Sequence, residues 1–327
     1  MRRNARISTA GASLSLSLLA ALVCGCPLAT PSGVQPDSGV PDSGAEPDSG
    51  VPDSGAASRC SWAPYVEGPP AATDETLESV QHFSYTTLTY PIQKSTVIES
   101  VELTLELCNV PEPRPYGLYY QIYMVIGGNP IYFGFQTSLH NPEVGFVGPG
   151  FIFSRWGSLD KNELRINDNG GFYELGTHEG EFIGVRLPYA FSATTYRVSL
   201  VHEGDHWYRL EFTPAGGAPL DVGSLRLSGN AGISGFTLTT EAYAMNKVKA
   251  SNVPLWHLLV SVPKVNGIAA TDGKVTYPSS NYPYGRVSLV QSETGWSDAF
   301  GAAPLLNTFY GSHTSRDEGI NGKFVIP

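Results

Sequence analysis

The sequence predicts an all-β protein, an antiparallel jelly-roll sandwich, and three observations carry that expectation. Val101, Leu103, Leu105 and Leu107 alternate with Glu102, Thr104 and Glu106, which buries one face of an extended strand and wets the other. Gly and Pro are abundant, at 36 and 25 of 327 residues, while charged residues make up 15% and aromatic ones 11%, a balance suited to short strands and tight turns. No segment beyond the N-terminal apolar run keeps a helical period over several turns. Many antiparallel strands with one wet face pack most simply as two sheets around a shared core.

Taken in order, the chain begins with Arg2, Arg3 and Arg6, continues into an apolar run from Leu14 to Val23, and reaches Val23, Cys24, Gly25 and Cys26. A basic start, a short apolar stretch and a small residue before the cut predict a secretory signal over residues 1–25, too short for a membrane span. Val23 three residues before Cys26, with Gly25 between, resembles the bacterial lipobox. That resemblance implies an acylated (palmitate-bearing) Cys26 that anchors the mature protein in a lipid membrane. Residue 27 is Pro, not Asp, which by the same resemblance points to the outer membrane or cell surface.

Residues 26–58 carry the lipidated cysteine and a tether. Pro-Asp-Ser-Gly recurs from Pro36, Pro41, Pro47 and Pro52 with almost nothing apolar between the repeats. Such a stretch cannot bury enough surface to offset its ordering entropy and is expected to be disordered, with a root-mean-square reach of roughly 30 Å. Asp-Ser-Gly also lacks the dense oxygen cage of a calcium loop.

Of four cysteines, Cys24 leaves with the signal and Cys26 carries lipid, so Cys60 and Cys108 remain. An even pair in an oxidising compartment favours a disulfide between them, and closing a loop of that length stabilises a fold by about 3 to 4 kcal/mol in the chain-entropy model. Net charge is −10; removing the three signal arginines makes it −13, and the five tether acids (Asp37, Asp42, Glu46, Asp48, Asp53) leave −8 for residues 59–327. No nucleic-acid footprint of clustered Lys and Arg is present, so nucleic acid is excluded as a partner.

Residues 59–327 read as one β-sandwich domain, with strand signals at 82–90, 101–107, 118–126, 131–137, 151–156, 181–187, 195–202, 207–213, 222–227 and 233–243. The Pro-rich end, 253–327, is either a flap or a set of extra strands.

Within this region Tyr132 to Gln136 (Tyr-Phe-Gly-Phe-Gln), Phe153 to Trp156 (Phe-Ser-Arg-Trp), Gly176 to Gly180 (Gly-Thr-His-Glu-Gly) with Gly184, Thr195 to Arg197, Trp207 and Val222 to Arg226 occur in an order that resembles one secreted bacterial family. It is the domain-of-unknown-function family numbered three-four-seven-two, and the resemblance spans about 119–243. It implies a concanavalin-like sandwich in a carbohydrate setting, without a reaction. The chain departs from the pattern in having His178 where a smaller polar residue is expected, and in lacking a recognisable companion domain.

Several motifs compete for chemistry. His202-Glu203-Gly204-Asp205-His206 spells the H-E-x-x-H of zinc proteases, which needs both histidines one turn apart on a helix. Tyr196, Val198 and Leu200 alternate before it, Tyr208, Leu210 and Phe212 alternate after it, and Glu-Gly-Asp is turn chemistry, so a β-hairpin is expected and no metal or other cofactor is assigned. Asn167 to Gly171 has its glycine too early and lacks the distal acidic ligand of a calcium loop, so it reads as a turn. No G-x-S-x-G elbow, P-loop or dinucleotide glycine pattern occurs.

Thr177 to Glu181 places Glu179, His178 and Glu181 close together, groups suited to acid/base work, with a polar loop in which Glu179 caps backbone N–H groups as the alternative. Among the rings Trp156, Tyr189, Trp207, Tyr208, Trp256 and Trp296, some can form a sugar platform and most belong to the core. The leading expectation is a surface lipoprotein binding a neutral or weakly charged polysaccharide around Trp156, Glu179 and Trp207. The rivals are a glycan-cleaving enzyme using Glu179 with a second acid such as Asp205 or Glu241, and a non-catalytic envelope module.

Overall fold

The computed structural model describes residues 76–77, 82–91, 97–110, 117–177, 180–243, 248–249, 256–276, 285–289, 305–310 and 322–325. All fall in the second of two units of the chain, Gly55–Pro327. The expectations placed on Cys26, Cys60, His178, Glu179 and Trp296, and on the signal and tether, lie outside the described residues.

The strands are β1 (Thr76–Leu77), β2 (His82–Tyr90), β3 (Ser100–Leu107), β4 (Gly117–Ile126), β5 (Asn129–Asn141), β6 (Gly145–Trp156) and β7 (Leu164–Ile166). They continue as β8 (Phe172–Gly176), β9 (Phe182–Pro188), β10 (Thr195–Gly204), β11 (Trp207–Pro214), β12 (Leu220–Arg226), β13 (Ile233–Tyr243) and β14 (Val248–Lys249). The last are β15 (Trp256–Ser261), β16 (Lys264–Val265), β17 (Ile268–Ala269), β18 (Asp272–Thr276), β19 (Gly285–Leu289), β20 (Leu305–Tyr310) and β21 (Gly322–Val325).

Two antiparallel sheets face each other, as the alternating pattern requires. One runs β21-β18-β2-β13-β4-β5-β6-β9-β8, and the other runs β19-β20-β15-β3-β10-β11-β12-β7 with β16 and β17 beside β3. The result is an all-β, jelly-roll-like sandwich. The C-terminal stretch supplies strands to both sheets: β15 pairs with β3, and β18 pairs with β2. No described helix is long and apolar enough to cross a membrane.

The inward residues of both sheets make one core. Phe133, Phe135, Phe151 and Phe153 from the nine-stranded sheet meet Tyr196, Tyr208, Leu210 and Phe212 from the other, all buried. The sheets touch most closely where Phe151 stacks on Phe212, with centroids 4.1 Å apart and planes at 24°, and where Phe135 meets Phe212 edge-on at 4.9 Å. Burying such side chains stabilises the fold by roughly 1.5–3 kcal/mol each. The buried Arg155 on β6 donates through Nη1 to the carbonyl of Arg226 on β12 and pairs with Glu163 at 3.1 Å, so its charge is compensated where it joins the two sheets.

Buried phenols make the fold sensitive to alkali. Desolvation raises the pKa of Tyr90, Tyr120 and Tyr208 above the ordinary 10.0, with Tyr90 adding to the shift at Tyr120 and Glu99 to that at Tyr208. The unfolded chain releases these protons near pH 10.0, whereas the native protein keeps them at higher pH. Their stabilisation is therefore complete below the unfolded value and is lost as pH rises through the native values. Thermal melts from about pH 8 to 11.5 should show the melting temperature falling steeply above about pH 10, and a flat profile over that range would contradict the assignment.

Candidate functional site

Strand alternation gives the nine-stranded sheet a second, outward face, and there the composition is unlike a plain wet surface. Tyr119 and Tyr123 on β4, Tyr132 on β5, Ile152 and Trp156 on β6 and Phe172 on β8 point away from the core and pack together, with Leu139 and Val147 beside them. Tyr132 lies 5.8 Å from Trp156 and 6.3 Å from Tyr119, and Trp156 lies 5.6 Å from Phe182. Tyr119 and Tyr132 are buried, whereas Tyr123, Trp156, Phe172 and Phe182 are half-exposed. The centre is closed, and rings form the accessible rim.

A charge lies in that centre. Arg186 on β9 has only 4% of its side chain exposed, and its Nη2 stands 2.7 Å from Glu174 Oε2 on β8. Its Nε donates to the same oxygen at 3.0 Å, and its Nη1 donates to Ser154 Oγ at 2.8 Å and to the carbonyl of Val185 at 3.1 Å. Burial works to lower the Arg186 pKa, but Glu174 and the phenols of Tyr132 and Tyr119 outweigh it and hold the pKa above its ordinary value. Glu174 uses Oε2 for both bonds, and its Oε1 has no partner among the described residues.

Two glycines let these groups lie flat. A Cβ on Gly184 would stand 2.4 Å from Arg186 Nη1 and 2.5 Å from Ser154 Oγ, so the guanidinium crosses the sheet over that glycine. A Cβ on Gly176 would stand 1.8 Å from the Phe182 ring, which occupies the space above it. The register sets Tyr132 beside Ser154, Ser154 beside Gly184 and Gly184 beside Glu174. In the neighbouring row, Trp156 stands beside Phe182 and Phe182 beside Gly176.

Two tracks thus cross the strands side by side, one polar and one aromatic, about 7 Å apart along the strand direction. The polar track spans three strand spacings, about 14 Å. Gly184→Ala should evict the guanidinium from this track and weaken any ligand bound there by about tenfold while the core persists, read as an affinity loss with unchanged circular dichroism.

The expected site residues are scattered by this fold. Trp156 stands on the aromatic track. Trp207 lies on the outer face of the other sheet, 9% exposed, with the Arg165 guanidinium 3.8 Å over its ring, so the two tryptophans share no surface. Tyr208 and Trp256 are in the core, and Tyr189 packs on Phe151 at 5.1 Å. Glu181 is exposed just ahead of β9, and its carbonyl accepts from Gly157 N–H at 2.8 Å.

Of the two candidate second acids, Glu241 pairs opposite Tyr119 on the outer face, and Asp205 is engaged by Arg226 Nη2 at 3.0 Å on the far sheet. Cys108 follows β3 and is half-buried. Glu174, Arg186 and Ser154 were not singled out from the sequence.

The H-E-x-x-H stretch is a hairpin tip. β10 and β11 pair from Tyr196 opposite Pro214 to Gly204 opposite Trp207, and Asp205 and His206 turn the chain with φ of 45° and 64°. His202 Nδ1 is 3.2 Å from Glu99 rather than from a second ligand of the motif. Among the described residues no group of three or more His, Cys, Asp or Glu is arranged to hold a metal ion.

No family model matches the chain, and no curated protein matches it. Similar solved structures include scytalido-glutamic peptidase with a peptide-based transition state analog, at 8% identity and a TM-score of 0.36. The same peptidase with a transition state analog inhibitor gives 9% and 0.35. SCP-B, a member of the eqolisin family of peptidases in a complex with the tripeptide Ala-Ile-His, gives 8% and 0.34. Each covers 71% of this chain and 100% of its own. Likeness at this level carries nothing about the activity of this chain.

Proposed function

We propose that the protein is a lipid-anchored cell-surface lipoprotein whose sandwich binds carbohydrate on the outward face of the nine-stranded sheet. The observation that carries this reading is the pair of parallel tracks, with half-exposed Trp156 and Phe182 in one row and Glu174, seated on Arg186, in the next. A sugar ring offers an apolar C–H face and hydroxyls at its edge; the first stacks on aromatic rings and the second hydrogen-bonds to fixed polar groups. A track of about 14 Å is longer than one sugar ring and suits a chain lying across the strands. Affinities in the millimolar to micromolar range correspond to about −4 to −8 kcal/mol, within reach of a few stacked rings and hydrogen bonds.

The basic start, apolar run and Cys26 support export and acylation, and the Pro-Asp-Ser-Gly repeats support a solvated tether behind the anchor. Cys60 and Cys108, the two cysteines left in the mature body, form an even pair in an oxidising compartment, which supports a disulfide between them. Affinity electrophoresis of the purified domain through a broad panel of polysaccharides tests the binding, and retardation by at least one is expected. Passage unretarded through all of them refutes it. Labelling with palmitate, lost in Cys26→Ser, tests the anchor separately.

A further inference from the structure

Resting on that reading, the geometry points to Glu174 as the residue that sets the charge class of the ligand: the site takes an uncharged sugar chain and rejects one bearing carboxylate or sulfate groups. Among the described residues Arg186 is the only cation seated in the two tracks, and it is spent. Its Nε and Nη2 are held by Glu174 Oε2, its Nη1 by Ser154 and the Val185 carbonyl, and 4% of its side chain is exposed, so an incoming anion finds no free fork to grip.

The oxygen that Arg186 leaves over is Glu174 Oε1. Glu174 is 27% exposed and unpaired at that atom among the described residues. Along β8 it stands between Phe172 and the Phe182 ring lying over Gly176. A carboxylate whose other oxygen is held by a buried arginine accepts hydrogen bonds at the remaining one and donates none. Hydroxyl groups satisfy it, and a carboxylate or sulfate brought to the same place meets like charge in a partly desolvated setting.

The test uses one oligosaccharide retained by the wild-type domain and the same backbone with its C6 hydroxymethyl groups oxidised to carboxylates. The wild-type domain should bind the neutral chain at least about tenfold more tightly, because charge-assisted hydrogen bonds are the larger ones and are lost to repulsion in the oxidised chain. Glu174→Gln keeps an acceptor against Arg186 but removes the negative charge, leaving the guanidinium uncompensated. It should weaken neutral binding and narrow or reverse the tenfold preference.

A measurement that needs no variant runs beside it: added salt should leave the neutral affinity unchanged and strengthen binding of the oxidised chain by screening the repulsion. Equal wild-type affinity for the two chains, or a preference untouched by both Glu174→Gln and salt, overturns the assignment of Glu174 while leaving the binding face intact. Failure of the wild-type domain to bind any neutral or oxidised chain overturns the carbohydrate reading itself, and the charge assignment with it.

Discussion

Trp156→Ala is expected to weaken carbohydrate binding by about thirtyfold or more, the effect of removing an aromatic anchor worth 2 kcal/mol or more at the centre of a contact. The ring is half-exposed, and its neighbours Tyr132 and Phe182 are held by their own strands, so the fold should lose only about 1–2 kcal/mol. Trp156→Phe keeps a smaller face and should recover part of the affinity. The matched control is Trp207→Ala, which removes a ring already covered by Arg165 on the other sheet and should leave affinity unchanged. Isothermal titration of the three variants with one retained oligosaccharide separates these outcomes. Equal losses at Trp156 and Trp207 would contradict a site confined to one sheet.

Phe151→Ala should destabilise the domain by about 3–5 kcal/mol, a large share of the 5–15 kcal/mol typical of a folded protein. Phe151 is fully buried and sits where the two sheets meet, touching Phe135, Tyr189, Phe191 and Phe212. Truncation empties a space where the two sheets meet, and Phe135 and Phe212 cannot fill it without leaving their strands. Phe151→Leu keeps much of the volume and should cost far less. Urea unfolding followed by fluorescence should show the midpoint falling with an unchanged slope, the mark of lost stability rather than an altered unfolded state. A shift of only a few tenths of a kcal/mol would mean that the contact between the sheets lies elsewhere.

Much of the sandwich was legible because alternation is a local signal. β3 follows Val101, Leu103, Leu105 and Leu107 inward as the pattern requires, and the hairpin of β10 and β11 was readable from alternation on both sides of Glu-Gly-Asp. β8 was not legible. It has five residues between Gly171 and Thr177, and its outward side holds Phe172 as well as Glu174, which hides the apolar-in, polar-out rhythm. The strands of the C-terminal stretch were legible only as one of two alternatives, since their pairing with β3 and β2 joins residues more than 150 apart in sequence.

The site was less legible than the fold for the same reason. Glu179, His178 and Glu181 attracted notice as neighbours along the chain, whereas Glu174 and Arg186 are twelve residues apart and meet only through the register of β8 with β9. In that register Gly184 lies opposite Glu174, and Arg186 is the diagonal neighbour two residues on, a cross-strand relation that exists only once the hairpin is drawn. Trp156 could be named as a candidate binding ring, but its separation from Trp207 required knowing which strand belongs to which sheet.

The most direct test of the account follows the indole N–H resonances of the five tryptophans during titration with a neutral oligosaccharide, with Trp156 assigned through Trp156→Phe. The account predicts that the Trp156 signal moves in a saturable way while those of Trp207, capped by Arg165, and Trp256, enclosed in the core, stay in place. A bound sugar that shifts Trp207 and leaves Trp156 untouched would contradict it.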